Sequence, residues 1–183
     1  MKVFIKKLHE NARLPEYAHE DDAGVDISAA WVKDEGRYIE YGCGWAMQVD
    51  RNESKDWYIK CRPRSSISKY DLTLANSVST IDNGYTGEII FRFKKTPNIF
   101  SLIYGLKKEI VDIFANEGPF SNFIRFFLNF DFEEFESKHC KYYKVNEKIG
   151  QMILEKRPKI ELVEVGFISD TKRGDCGFGS TGR

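Results

Sequence analysis

Apolar residues along this chain fall into short runs, several of them alternating with polar residues and bounded by turn chemistry. Val3–Ile5, Gly24–Ala30, Tyr38–Tyr41, Trp45–Val49, Trp57–Cys61, Leu72–Leu74 and Glu88–Phe93 are rich in β-branched and aromatic residues and predict strands. Ile153-Leu154 and Ile160–Val165 resume the pattern after residue 145. Recurrent short strands at this spacing predict an all-β sandwich or barrel. Asp82-Asn83-Gly84 predicts a hairpin turn, because Asn and Gly accept the positive φ that tight turns demand. The chain contains no internal repeat.

The stretch 98–141 has a different period. Ile99, Leu102, Ile103, Leu106, Ile110, Ile113 and Phe114 share one helical face, Asn116-Glu117-Gly118-Pro119 breaks it, and Phe120, Phe123, Ile124 and Phe127 begin a second amphipathic pattern. A β fold joins neighbouring strands with a few residues, so this stretch is read as a helical insertion. It holds nine phenylalanines, which favours a local helical hairpin core against the β domain. Were they exposed, they would mark a protein-binding surface.

Composition narrows the function classes. At 183 residues the chain suits one domain, 1–183. Its 28 basic and 28 acidic side chains cancel, so nothing in bulk charge favours nucleic acid. Cys43, Cys61, Cys140 and Cys176 form no CxxC pair, which argues against a zinc site or a disulfide framework. The first residues are too short an apolar run for a signal peptide, and no long apolar stretch predicts a membrane span. A soluble, cytoplasmic protein is expected.

The last eleven residues, 173–183, form an arm of glycines, hydroxyls and arginines around one aromatic, Phe178. That chemistry suits a nucleoside phosphate: amides, hydroxyls and arginines for phosphate oxygens and a ring to stack on a base. A glycine-rich segment without apolar period is expected to be mobile when empty. Upstream, four more segments are rich in functional residue types. They are Ala23-Gly24-Val25-Asp26-Ile27, Pro63-Arg64-Ser65-Ser66, Asn76 through Gly87, and Glu147-Lys148-Ile149-Gly150-Gln151-Met152.

In order, spacing and residue types, these five segments closely resemble the five motifs of the trimeric dUTP diphosphatases (dUTPases), over nearly the whole chain except the insertion. The resemblance implies a jelly-roll-like fold and hydrolysis of dUTP to dUMP and pyrophosphate with Mg²⁺. It implies a homotrimer in which each active site takes motifs from more than one subunit. Asp82 matches the general base and Asp26 the acidic residue associated with Mg²⁺ through water. Arg64, Ser65, Ser66 and Gln151 match phosphate contacts, although the family usually has glycine at the place of Ser66. Asn76 matches the uracil-reading asparagine on a hairpin from Leu72 to Tyr85, and Tyr85 would pack on the deoxyribose. Arg173, Phe178, Gly179, Ser180 and Thr181 would close over the bound nucleotide.

Two other readings compete. Arg64-Ser65-Ser66-Ile67-Ser68-Lys69 also resembles a motif of the dCTP deaminases, which share the fold. Those enzymes carry a catalytic glutamate ten residues after the motif-three aspartate, where this chain has Arg92, and a guanidinium cannot shuttle protons at neutral pH. The third reading is a regulatory module that engages a protein partner through the insertion. Because the catalytic set is intact, partner binding would add to catalysis and need not replace it.

Overall fold

Alternation along each strand decides which side chains enter the interior, and two antiparallel sheets result. The structure is a computed structural model that describes residues 1–52, 55–96, 106, 135, 140–172 and 174. Its strands are β1 (Val3–Lys7), β2 (Val25–Ser28), β3 (Trp31–Asp34), β4 (Tyr38–Val49), β5 (Trp57–Pro63), β6 (Leu72–Leu74), β7 (Ser79–Ile81), β8 (Glu88–Lys95) and β9 (Lys148–Lys156), with a 3-10 helix at Ser65–Lys69. One sheet runs β1-β4-β8-β6, with β3 also on β4, and the other runs β2-β9-β5-β7. Between them lie Ile27, Tyr41, Cys43, Val49, Ile59, Cys61, Ile89, Phe91, Phe93 and Ile149, all buried. Each large apolar side chain so buried contributes about 1.5–3 kcal/mol. Burial also pushes the Cys61 thiol up to about 12 and the Cys43 thiol to about 11, which leaves both unreactive.

Several expected strands need revision. Tyr38–Tyr41 and Trp45–Val49 are one twelve-residue strand, bent where the β4–β8 register shifts between Gly42 and Ala46. Gly44 sits there at φ +74°, a value that glycine adopts without strain. The segment Ile160–Val165 joins no ladder; β9 stops at Lys156, and Pro158 just beyond has no N–H to offer a neighbour. The hairpin expected over Leu72–Tyr85 is not a ladder either. β6 pairs β8 in one sheet and β7 pairs β5 in the other, so the Asp82–Tyr85 turn carries the chain between sheets. Of the insertion, Leu106 and Phe135 have helical backbone and Phe135 is buried; the rest of its predicted helical pattern lies outside the described residues.

At Gly150, on β9, a side chain of the facing sheet packs directly against the backbone. A Cβ there would stand 2.3 Å from Phe91 Cε1 and 2.9 Å from the Arg62 carbonyl oxygen, and the carbonyl belongs to backbone that cannot swing aside. Gly150→Ala is expected to destabilise the fold by about 1–3 kcal/mol. Urea denaturation would read this, and an unchanged midpoint would show that the Phe91 ring relocates freely.

Candidate active site

The described motif residues fall into two groups. The first surrounds the turn between β7 and β8. Tyr85 N–H donates to the Asp82 carbonyl at 2.9 Å, and the Asn83 carbonyl accepts from Arg51 Nη2 at 3.3 Å and Gln48 Nε2 at 3.4 Å. The backbone that carries Asp82 is thereby fixed while its carboxylate stays exposed. Tyr85 hydroxyl donates to the Glu88 carbonyl at 2.9 Å, and its ring lies where a side chain on Gly87 would be, with the hydroxyl 2.5 Å from a hypothetical Cβ. Asn76 is exposed, and its Nδ2 donates to Ser79 Oγ at 3.0 Å.

These side chains line a cavity of about 340 Å³, together with Ser79, Thr80, Glu88 and Arg92. Its volume is at the lower end of small-molecule sites. Glu88 and Arg92 were not assigned a place in a pocket from sequence. They are i and i+4 on β8, so strand alternation puts both on the face that Tyr85 shares. Arg92 Nε pairs with Glu40 Oε1 at 2.8 Å, so a guanidinium held by an ion pair stands where a deaminase would need a proton-shuttling carboxylate. A second cavity, of about 750 Å³, opens on the other side of Asp82. Arg51, Lys55, Lys156 and Arg157 surround the Asp82–Gly84 turn there. That field favours an anion beside the carboxylate.

The second group lies across β2, β9 and the end of β5. Asp26 pairs with Gln151 in the β2–β9 register, and Gln151 pairs with Arg62 on β5. Asp26 is only 4% exposed. Its Oδ1 accepts from Gln151 Nε2 at 3.3 Å and faces Arg64 Nε at 3.2 Å. Lys148 Nζ lies 2.9 Å from Oδ2 as an ion pair, at an angle outside hydrogen-bond geometry. Motifs one, two and four thus meet on one buried carboxylate, a convergence that also recruits Lys148. The cluster holds two cations against one anion, an excess that suits phosphate oxygens.

This donor set does not make a resident metal site. Asp26 is already ringed by two cations and an amide, and among the described residues no three His, Cys, Asp or Glu are placed to hold an ion. It fits instead a hydrated ion that brings phosphate oxygens as its direct ligands, as Mg²⁺ commonly does. Ser65 is exposed and Ser66 half-buried at the start of the 3-10 helix. Arg173, Phe178, Gly179, Ser180 and Thr181 lie outside the described residues.

No protein-family model matches the sequence. Relatives do. The deoxyuridine 5'-triphosphate nucleotidohydrolase of Alkaliphilus metalliredigens is 33% identical over 184 residues, covering 98% of this chain and 96% of that protein. That of Clostridium tetani is 30% identical over 182 residues, covering 98% and 95%. Among solved structures, the dUTPase of Staphylococcus bacteriophage 80alpha with dUpNHpp has a TM-score of 0.65 at 20% identity, covering 100% of this chain and 99% of that one. A dUTPase of phage phi11 of S. aureus, whose structure holds a structural Mg(II) ion, has a TM-score of 0.59 at 18% identity, covering 93% and 100%. The phage structures share the fold, and the sequence relatives match nearly end to end, so the chain belongs to the deoxyuridine 5'-triphosphate nucleotidohydrolase (dUTPase) family.

Proposed function

We propose that this protein hydrolyses dUTP to dUMP and pyrophosphate as a homotrimer with shared active sites. The observation that carries the reading is the exposed Asp82 carboxylate, on a braced turn at the rim of a nucleoside-sized cavity lined by Asn76 and Tyr85. Asp82 accepts a proton from water as the water oxygen attacks the α-phosphorus. The bond from that phosphorus to the α–β bridging oxygen breaks, and the β- and γ-phosphates leave as pyrophosphate. Asn76 reads the uracil edge and Tyr85 stands against the sugar. Arg64, Ser65 and Gln151 take phosphate oxygens, and Arg173, Phe178, Gly179, Ser180 and Thr181 close over the nucleotide. A bound Mg²⁺ would supply neutralisation of phosphate charge, with Asp26 the residue that would hold it through water.

Strand register supports a shared site. Asp26 is level with Arg62 across the sheet, whereas Asp82, one residue past Ile81, is level with Tyr58 on the far edge. Three strand spacings across and four residues along amount to roughly 20 Å. A general base works at about 3 Å from the oxygen of the water it deprotonates, so this separation favours the cluster and the Asp82 of one chain serving different triphosphates. Unpaired surface supports assembly. Ile160, Leu162, Val163, Val165, Phe167 and Ile168 are 57–91% exposed, and a groove of about 390 Å³ between the β1 and β2 edges is lined by Val3, Ile5, Leu14, Val25 and Leu154. An apolar extended segment outside any ladder and an apolar groove on one chain suit exchange between copies.

The test is pyrophosphate release from dUTP, dTTP, UTP and dCTP, each also assayed for ammonia. The expected result is turnover of dUTP alone without ammonia; ammonia from dCTP would establish the deaminase reading instead. Tyr85→Ala in the same panel should raise UTP hydrolysis relative to dUTP. An unchanged ratio would place sugar selection elsewhere.

A further inference from the structure

The ladder between β4 and β8 is interrupted next to the nucleoside cavity, and one side chain closes the gap. Gly42 pairs with Ile90 and Ala46 with Glu88, so Cys43, Gly44 and Trp45 of β4 stand opposite Ile89 alone. Such a bulge takes backbone groups out of register, and those groups need other partners. Gly44 has one on each side: its carbonyl accepts from Leu8 N–H at 2.8 Å, and its N–H donates to Glu88 Oε1 at 2.7 Å. Trp31 Nε1, on β3, donates to the same Oε1 at 2.8 Å. The Trp31 ring fills the space that a side chain on Gly42 would need, its Cε2 2.0 Å from a hypothetical Cβ there. An indole and a strand amide thus converge on one carboxylate oxygen at the bulge.

The main chain of Glu88 holds the cavity wall. Its carbonyl accepts from the Tyr85 hydroxyl at 2.9 Å, and Tyr85 N–H donates to the Asp82 carbonyl at the other end of the residue. Tyr85 is 44% exposed, so packing does little to fix its ring and the hydroxyl bond sets where the ring stands. Glu88 is the first residue of β8. A strand end beside a broken ladder opens locally at low cost, and the carboxylate, bonded to Gly44 and Trp31, is what fastens this end to β4.

We propose that Glu88 is a positioning residue for sugar selection: its carboxylate, gripped by Gly44 N–H and the Trp31 indole at the β4 bulge, fixes the carbonyl that holds Tyr85 against the deoxyribose. This rests on the dUTPase reading above, in which Tyr85 stands against the sugar. Trp31 does not line the cavity. Discrimination between a 2′-hydrogen and a 2′-hydroxyl therefore depends in part on a side chain outside the nucleoside site.

The test compares kcat/KM for dUTP and UTP in the full chain. Trp31→Phe removes one donor to the carboxylate, Glu88→Ala the carboxylate and Tyr85→Phe the hydroxyl. Each is expected to raise UTP hydrolysis relative to dUTP about two- to tenfold, the range of one hydrogen bond. In Trp31→Phe, kcat for dUTP should stay near wild type, because Arg51, Gln48 and Tyr85 N–H hold the Asp82 turn without the indole. Glu88→Gln keeps an acceptor oxygen and should keep the wild-type ratio. Glu88→Asp, which withdraws the carboxylate by one methylene, takes the place of Glu88→Ala if that variant does not fold. Adding Trp31→Phe or the Glu88 change to Tyr85→Phe should shift the ratio no further, since the link is already cut. A wild-type ratio in the single variants, the same shift in Glu88→Gln as in Glu88→Ala, or additive shifts in the double variants would each overturn the positioning role while leaving dUTP hydrolysis intact. Failure of the unmodified protein to hydrolyse dUTP would overturn the functional reading, and this role with it.

Discussion

Asp82→Asn is expected to leave a folded protein that still binds dUpNHpp but releases pyrophosphate from dUTP about 10²–10⁴-fold more slowly, the usual cost of losing a general base. The substitution keeps the shape of the side chain, and the turn is held by backbone and neighbours. Tyr85 N–H, Arg51 and Gln48 all bond carbonyls of the turn and none bonds the Asp82 carboxylate. An amide cannot take the proton from water, so the loss should fall on kcat and not on KM. Single-turnover pyrophosphate release is the direct measurement. A variant that turns over at nearly the wild-type rate would exclude Asp82 as the base and move attention to Glu88 in the same cavity.

Mixing two dead variants should restore activity. Arg64→Ala removes a cation from the cluster at Asp26, and Asp82→Asn disables the half that carries the β7–β8 turn, so each variant alone is expected to lose nearly all turnover. If each site draws its halves from two copies, co-refolding equal amounts assembles some sites with both halves intact. Random assortment in a closed ring gives about a quarter of the sites. Activity near that fraction of wild type, appearing only after the subunits have exchanged, is the expected result. A mixture as inactive as its components would mean that both halves come from one chain, and the roughly 20 Å register separation would then have to be closed by movement within the sheet.

How far the sequence foresaw this arrangement depends on the range of the interaction involved. Alternation within β5 and β8 and the turn-forming residues Asp82-Asn83-Gly84 act over a few residues, and strands and a turn stand there, although the turn joins two sheets in place of closing a hairpin and neither Asn83 nor Gly84 takes the expected positive φ. β3 and β7 carried weaker local signals. Trp31–Asp34 and Ser79–Ile81 are short and partly polar, and they are strands because long β4 and β5 offer them free edges. The expected strand over Ile160–Val165 has the right residues and lacks an edge within its own chain. The motif residues were legible because their types are chemically constrained. Lys148 and Arg92 were not singled out as site groups, since a lysine or arginine on a strand is ordinary until its partner is seen.

By itself, then, the sequence determined an all-β chain with a helical-patterned insertion, the order of its motifs and the position of the Asp82 turn, because propensity, alternation and turn chemistry are local. Only the tertiary structure decided that this turn crosses from one sheet to the other. It also decided that Asp26 lies caged by Arg64, Lys148 and Gln151, and that both ends of the insertion close on Asp71 beside the 3-10 helix that opens at Ser65. Each of these joins residues far apart along the chain, and which distant surfaces meet is set by the pairing of strand edges and the packing of two sheets, for which no short stretch of sequence carries the information.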